Sequence, residues 1–181
     1  MGGAVGLSVG AGFGDQGRAA QVRGAPVFLS TYEKPLDSKR RFVVPADYRN
    51  VEDGSQDALF VFPCLSEPCL EAGGIALKKQ YEVMASQLPF GHDSRKSLTM
   101  KVFAQSKTLA YDTAGRITLP EAMCARFGLK DEVVLVGMMD RFLIWAPDAY
   151  EPWAARMDAL ADESIAALAN VEYAKLTGGA G

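Results

Sequence analysis

The chain has 181 residues, with 19 Lys plus Arg against 22 Asp plus Glu, a formal charge of −3 and 49% apolar residues. That composition supplies a core for one domain or two small ones and is too hydrophobic for a chain disordered throughout. No apolar run reaches the roughly 18 residues of a membrane span, and the glycine-diluted start lacks the basic flank of a secretion signal, so a cytosolic protein is expected.

Eight of the 18 glycines fall in residues 1–26 without periodicity, which reads as a disordered extension, or as a start site assigned too early. Residues 27–32 are a candidate strand leading into a tight turn opened by Asp37, whose carboxylate suits backbone N–H groups two or three residues on. Residues 41–44 alternate as the returning strand. Pro45 suits the first position of a short helix, where a missing N–H costs nothing. An apolar strand at 58–62 and a turn at 63–68 precede a helical stripe of Leu77, Tyr81, Met84 and Leu88. After a connector at 89–93, Asp93 or Ser94 is placed to cap a short helix through Leu98 and Val102.

The order then repeats. Residues 104–111 form a strand, Asp112 opens a turn, 116–119 return, and Pro120 starts a helix over 121–127 that Gly128 stops. A strand at 133–137 and a shorter turn at 138–140 lead to a final helical stripe of Tyr150, Trp153, Met157, Leu160 and Leu168. Both copies read D-x-x-x-R-Φ-x-Φ-P: Asp37/Asp112, Arg41/Arg116 and Pro45/Pro120 are each 75 residues apart, with Phe42/Ile117 and Val44/Leu119 matched in character. Each half is therefore expected to be one structural unit. The two aromatic stripes are expected in the core or in contacts between protomers.

Catalytic chemistry finds little support. Cys64, Cys69 and Cys124 are an odd number without an export signal, which favours reduced thiols over disulfides, and their spacing with the single His92 does not make a zinc site. His92 lies among loop residues and is the only imidazole available as a base, so a nucleophilic dyad is not expected. No phosphate loop or pair of catalytic carboxylates appears, so neither an enzyme nor a cofactor is expected. Charge is uneven: residues 27–50 carry +2 and 93–116 carry +3, whereas 51–92 and 145–181 each carry −4. Two basic stretches on one face give the local field that nucleic acid requires; on separate faces they are ordinary solvated surface.

The duplicated motif, with Glu132-Val133-Val134-Leu135-Val136-Gly137 and Arg141-Phe142-Leu143-Ile144-Trp145, resembles the MraZ family over about residues 27–153. The resemblance implies a mixed β fold with short helices (α+β), a tandem-duplicated double-split β-barrel of the swapped-hairpin, AbrB-like kind. It divides the chain into repeats at 27–98 and 99–170 with a flexible tail at 171–181. It also implies a cytoplasmic, nucleoid-associated regulator of the division and cell-wall gene cluster that represses its own operon. Its partners would be promoter DNA and other copies of itself in an octameric ring. Asp37, Lys39, Arg40, Arg41, Asp112 and Arg116 are the DNA-binding candidates. Independently, a guanidinium fork fits phosphate or the guanine edge while the aspartate orients it; the plainer alternative is an ion pair that only stabilises the turn. A ring scaffold and an AbrB-like antitoxin are the competing functions. Arg40 stands where the family usually has Gly, as at Gly115, so a turn needing φ > 0 would be strained there.

Overall fold

The structure, a computed structural model, describes residues 27–51 and 58–177, with side chains of the last helix described through residue 165. The expected N-terminal extension lies outside the described residues. The first copy contains β1 (Thr31–Pro35), β2 (Arg41–Val43), α1 (Ala46–Arg49), β3 (Ala58–Pro63), β4 (Leu70–Gly73) and α2 (Ile75–Ser86). After α3 (Asp93–Val102), the second repeats that order as β5 (Lys107–Ala110), β6 (Arg116–Thr118), α4 (Glu121–Phe127), β7 (Glu132–Gly137), β8 (Phe142–Trp145) and α5 (Pro147–Thr177). This is a mixed α and β architecture with antiparallel sheets and mostly short helices.

The copies interleave. A six-stranded sheet runs β1-β7-β8-β4-β3-β5, and β2 pairs with β6 in a separate ribbon. The first strand of each copy thus pairs with the third strand of the other, and the fourth strands meet in the middle. The ribbon has the same two-fold relation: Arg41 faces Thr118, Phe42 faces Ile117 and Val43 faces Arg116. The repeat distance is not constant along the chain. Leu59 and Val61 share the inner core with Val133 and Leu135, a separation of 74 residues rather than 75. With a side-chain period of two, the longer offset would equate residues on opposite faces of β3 and β7.

Both faces of the sheet are covered, which explains why β3, β7 and β8 are nearly continuous apolar runs. Inside, Leu59, Val61, Leu70, Ala72, Val133, Leu135, Phe142 and Ile144 pack against Phe42 and Ile117 of the ribbon and Tyr48 of α1. Outside, Phe60 and Phe62 meet Leu77 and Tyr81 of α2 and Val102 of α3. On the other half of that surface, Trp145 stacks on Trp153 of α5 with ring centroids 5.0 Å apart.

Several expected boundaries move. The first strand begins at Thr31, because Ser30 lies in the left-handed region at φ 71° and leaves Phe28 as an isolated bridge to Met139. The strand expected at 104–111 is confined to Lys107–Ala110, since Phe103 and Ser106 close the end of α3. Pro45 and Pro120 are the N-caps of α1 and α4, one position earlier than expected. His92, not Asp93 or Ser94, caps α3 by accepting from the Ser94 amide, while Asp93 is drawn to Lys96. In α2 the buried stripe is Leu77, Tyr81 and Ala85; Met84 is exposed and Leu88 lies past the helix end. In α5, Tyr150 and Trp153 pack inward, Leu160 is exposed, and the Leu168 side chain lies outside those described. α3 runs across the 98/99 boundary, and α5 continues to Thr177, into the segment expected as a tail. Among the described residues, no helix is long and apolar enough to cross a membrane.

Candidate nucleic-acid interface

Each D-x-x-x-R segment folds as a tight hairpin turn followed by a residue in the left-handed conformation. Arg40 N–H donates to Asp37 O at 2.7 Å and Gly115 N–H to Asp112 O at 2.9 Å. The following closures, Asp37 N–H to Arg41 O and Asp112 N–H to Arg116 O, are 3.0 and 2.8 Å. This is a type I turn with a bulge, which places the fourth motif residue at positive φ. Arg40 has φ 61° and Gly115 φ 71°, so both copies use the same turn.

The aspartates tie the turns from within. Asp37 Oδ1 accepts from the Lys39 and Arg41 amides, and Asp112 Oδ1 from those of Ala114 and Arg116, all at 2.9 Å. Their Oδ2 atoms accept from Arg41 Nε at 2.8 Å and Arg116 Nε at 2.7 Å. The Arg41 guanidinium beside Asp37 holds its carboxyl below the ordinary range. The Arg116 amide, then its guanidinium, does the same for Asp112. Both carboxylates are ionised at neutral pH and aim their arginines by a fixed edge.

The β2–β6 register brings the turns together. Phe42 and Ile117 point into the core, whereas Arg41, Val43, Arg116 and Thr118 occupy the other face of the ribbon. Arg41 and Arg116 are diagonal neighbours, roughly 7–8 Å apart in an antiparallel pair. A groove of about 350 Å³ is lined by Lys34, Pro35, Asp37, Arg41, Phe42, Val43 and Arg116. Lys39 is exposed beside it. Lys34 is the groove residue that sequence reasoning missed; it lies on β1 outside the repeated motif, and only the fold brings it there.

Arg40 is placed differently from its neighbours. Its Nε donates to Leu119 O at 3.3 Å, and Nη1 lies 3.9 Å from Glu121 Oε2. At the matching position of the other copy, Val44 O accepts from Arg49 Nε at 3.2 Å. A side chain on Gly115 would meet that guanidinium, because a Cβ there falls 2.6 Å from Arg49 Nη1. Arg49 corresponds to Cys124 in the repeat. Each equivalent carbonyl thus receives one guanidinium, from the turn in one case and from the adjacent short helix in the other. The compensation between Arg40/Cys124 and Gly115/Arg49 explains why an arginine tolerates the left-handed position.

Among the described residues, no group of three or more His, Cys, Asp or Glu side chains is placed to hold a metal ion.

Residues 102–170 match the family model described as MraZ protein, antitoxin-like. The chain is 46% identical over 155 residues to a protein of Caulobacter vibrioides named transcriptional regulator MraZ, covering 85% of this chain and 99% of that protein. Proteins of the same name from Phenylobacterium zucineum and Rickettsia typhi are 44% identical over 142 residues and 30% identical over 146. Those alignments cover 78% of this chain and 89% of the first protein, and 80% of this chain and 98% of the second. With likeness of that degree running through both copies of the motif, the chain belongs to the MraZ family.

Proposed function

We propose that this chain is a transcription regulator that binds double-stranded DNA by inserting the β2–β6 ribbon and its two Asp–Arg turns into the major groove. The observation that carries this reading is the pairing of β2 with β6, which presents both motif arginines on one exposed face. A two-stranded ribbon has the width of the major groove, and a guanidinium fits either a phosphate or the O6/N7 edge of guanine. Arg41 and Arg116 make those contacts, Asp37 and Asp112 preset them, and Lys39 and Lys34 neutralise flanking phosphates. Arg40 adds positive potential while its Nε remains on Leu119 O. The names of the relatives support regulation of transcription as the outcome.

Two further readings accompany this one. The exchange of first strands and the two-fold ribbon support a double-split, AbrB-like barrel made of repeats at 27–98 and 99–170. Copies of the chain assemble into a ring, octameric in this proposal, which repeats the turns along one rim. The target is the chain's own operon in the division and cell-wall gene cluster, and the protein works in the cytoplasm at the nucleoid.

Fluorescence anisotropy with DNA from upstream of the chain's own gene tests the interface. Arg41→Ala and Arg116→Ala should each weaken binding by about 1–3 kcal/mol with folding intact. Unchanged affinity in the double variant, with an unchanged circular dichroism spectrum, rejects this surface as the interface.

A further inference from the structure

Cys64 and Cys69 bracket the loop between β3 and β4. The paired strands end at Pro63 opposite Leu70, so the next pair outward is Cys64 opposite Cys69, closed by Cys64 N–H donating to Cys69 O at 2.9 Å. Directly opposed antiparallel residues have Cα atoms about 4.5–5.5 Å apart, within the roughly 4.4–6.8 Å span of disulfides, and here one of the two cross-strand bonds forms while Cys69 N–H turns to Glu67 O at 2.9 Å. Cys64 Sγ lies 3.8 Å from Ser66 Oγ, inside the same loop. Cys64 is partly exposed, whereas Cys69 is buried on the outer face of the sheet with Trp145.

We infer that Cys64 and Cys69 form a reversible intrachain disulfide when the protein meets a hydroperoxide, making the base of this hairpin a redox modification site. In the first step the Cys64 thiolate attacks one peroxide oxygen. The O–O bond breaks, and the departing oxygen takes a proton and leaves as water or an alcohol, with Cys64 converted to a sulfenic acid. Cys69 then gives up its proton and attacks the Cys64 sulfur; the S–O bond breaks and the hydroxide leaves with that proton as water. Two thiols lose two electrons and one hydroperoxide gains them. Thiol reductants reverse the bond by exchange.

The surroundings assign the two roles. The neighbouring Cys69 thiol holds Cys64 well below the ordinary range, and backbone amides of Ser66 and Glu67 add to this. Cys64 is the partly exposed member of the pair and Cys69 the buried one, its thiol pushed up by the Cys64 sulfur beside it and by burial, so Cys64 is the attacking sulfur and Cys69 the resolving one. Cys124 is buried in the inner core, and burial raises its thiol. The loop also carries Glu67, whose Oε1 accepts from Arg156 Nη2 of α5 at 2.6 Å, so the disulfide would fasten the loop that holds α5.

The test uses the full chain treated with hydrogen peroxide, digested with trypsin under non-reducing conditions and measured by mass spectrometry. Both cysteines fall in one tryptic peptide, residues 50–78, and Cys124 in another, residues 117–126. The expected result is loss of two hydrogens from the first peptide, reversed by dithiothreitol, and at least tenfold faster than any change in the second. Cys69→Ala should trap Cys64 as a sulfenic acid that dimedone labels, and Cys64→Ala should leave Cys69 unoxidised. No reversible loss of two hydrogens, faster oxidation of Cys124, or a disulfide joining two chains would each overturn the inference.

Discussion

Position 40 shows how one residue settles the local chemistry of a repeated turn. A non-glycine residue in the left-handed region costs about 1 kcal/mol, and at Arg40 that cost is offset by the bond from its own Nε to Leu119 O. Gly115 avoids the cost and leaves room for Arg49. Gly115→Ala should therefore destabilise the protein by about 1–2 kcal/mol, through the backbone and through displacement of the Arg49 guanidinium. In an Arg49→Ala background the same change should cost about 0.5–1 kcal/mol less; additive costs in thermal melts would remove Arg49 from this account. Glu71, buried on β4, gives a second residue-scale expectation. Burial lifts its carboxyl to about 7, while the Tyr81 hydroxyl donates to it at 2.8 Å and Arg141 lies 3.4 Å away. From its ordinary value of 4.5 up to about 7, the fold holds a proton on Glu71 that the unfolded chain has released. Stability contributed by this group is therefore full below that window and declines as pH rises through it. Glu71→Gln should flatten the dependence of the melting temperature on pH between 4.5 and about 7. An equally steep decline in the variant would place its origin elsewhere. Asp37 and Asp112 have the opposite sign: their depressed values keep both turns charged through the ordinary carboxylate range, and protonation weakens them only in stronger acid.

At the scale of elements, legibility follows how local the determinants are. The Asp-initiated turns, the helix stopped by Gly128 and the apolar strands β3 and β7 are written in adjacent residues, and each forms where the sequence places it. The motif residues Asp37, Arg41, Asp112 and Arg116 come together because the repeat encodes two equivalent hairpins. Less legible is whatever depends on a distant partner. Ala85 replaces Met84 in the α2 stripe because the helix is aimed by Phe60 and Phe62, and Lys34 joins the groove only when β1 pairs with β7. Gly137 is of this kind. A Cβ there would lie 2.7 Å from the backbone of Phe28 and Leu29, which crosses the end of β7 with Gly137 N–H donating to Ser30 O. Since the obstacle is backbone, it cannot be relieved by a rotamer change. Gly137→Ala should cost about 1–3 kcal/mol and expose Phe28, an outcome read by denaturant unfolding. An unchanged midpoint would mean that the 28–30 segment moves aside freely.

For the whole molecule, the net charge of −3 predicts that, under the proposed interface, one chain with two short basic turns should bind DNA only weakly at physiological salt. The proposed ring, by repeating the turns, should raise avidity by roughly 10² or more. Preferred targets should then be several short direct repeats spaced about 10 bp apart, on one side of the duplex. Inserting about 5 bp between repeats should abolish the gain; equal affinity for single, in-phase and half-turn-shifted repeats would refute ring avidity even with DNA binding confirmed. The interleaved sheet also governs how the protein is made. Thr31 faces Val136, 105 residues later, so β1 emerges from the ribosome long before its partner exists. At about 5–20 residues per second, that wait lasts on the order of 5–20 s. The first copy cannot complete its sheet pairing on its own, and the nascent chain carries an open strand edge until the second copy has been translated through β7. Duplication within one chain makes that edge's rescue a matter of elongation time rather than of meeting another molecule.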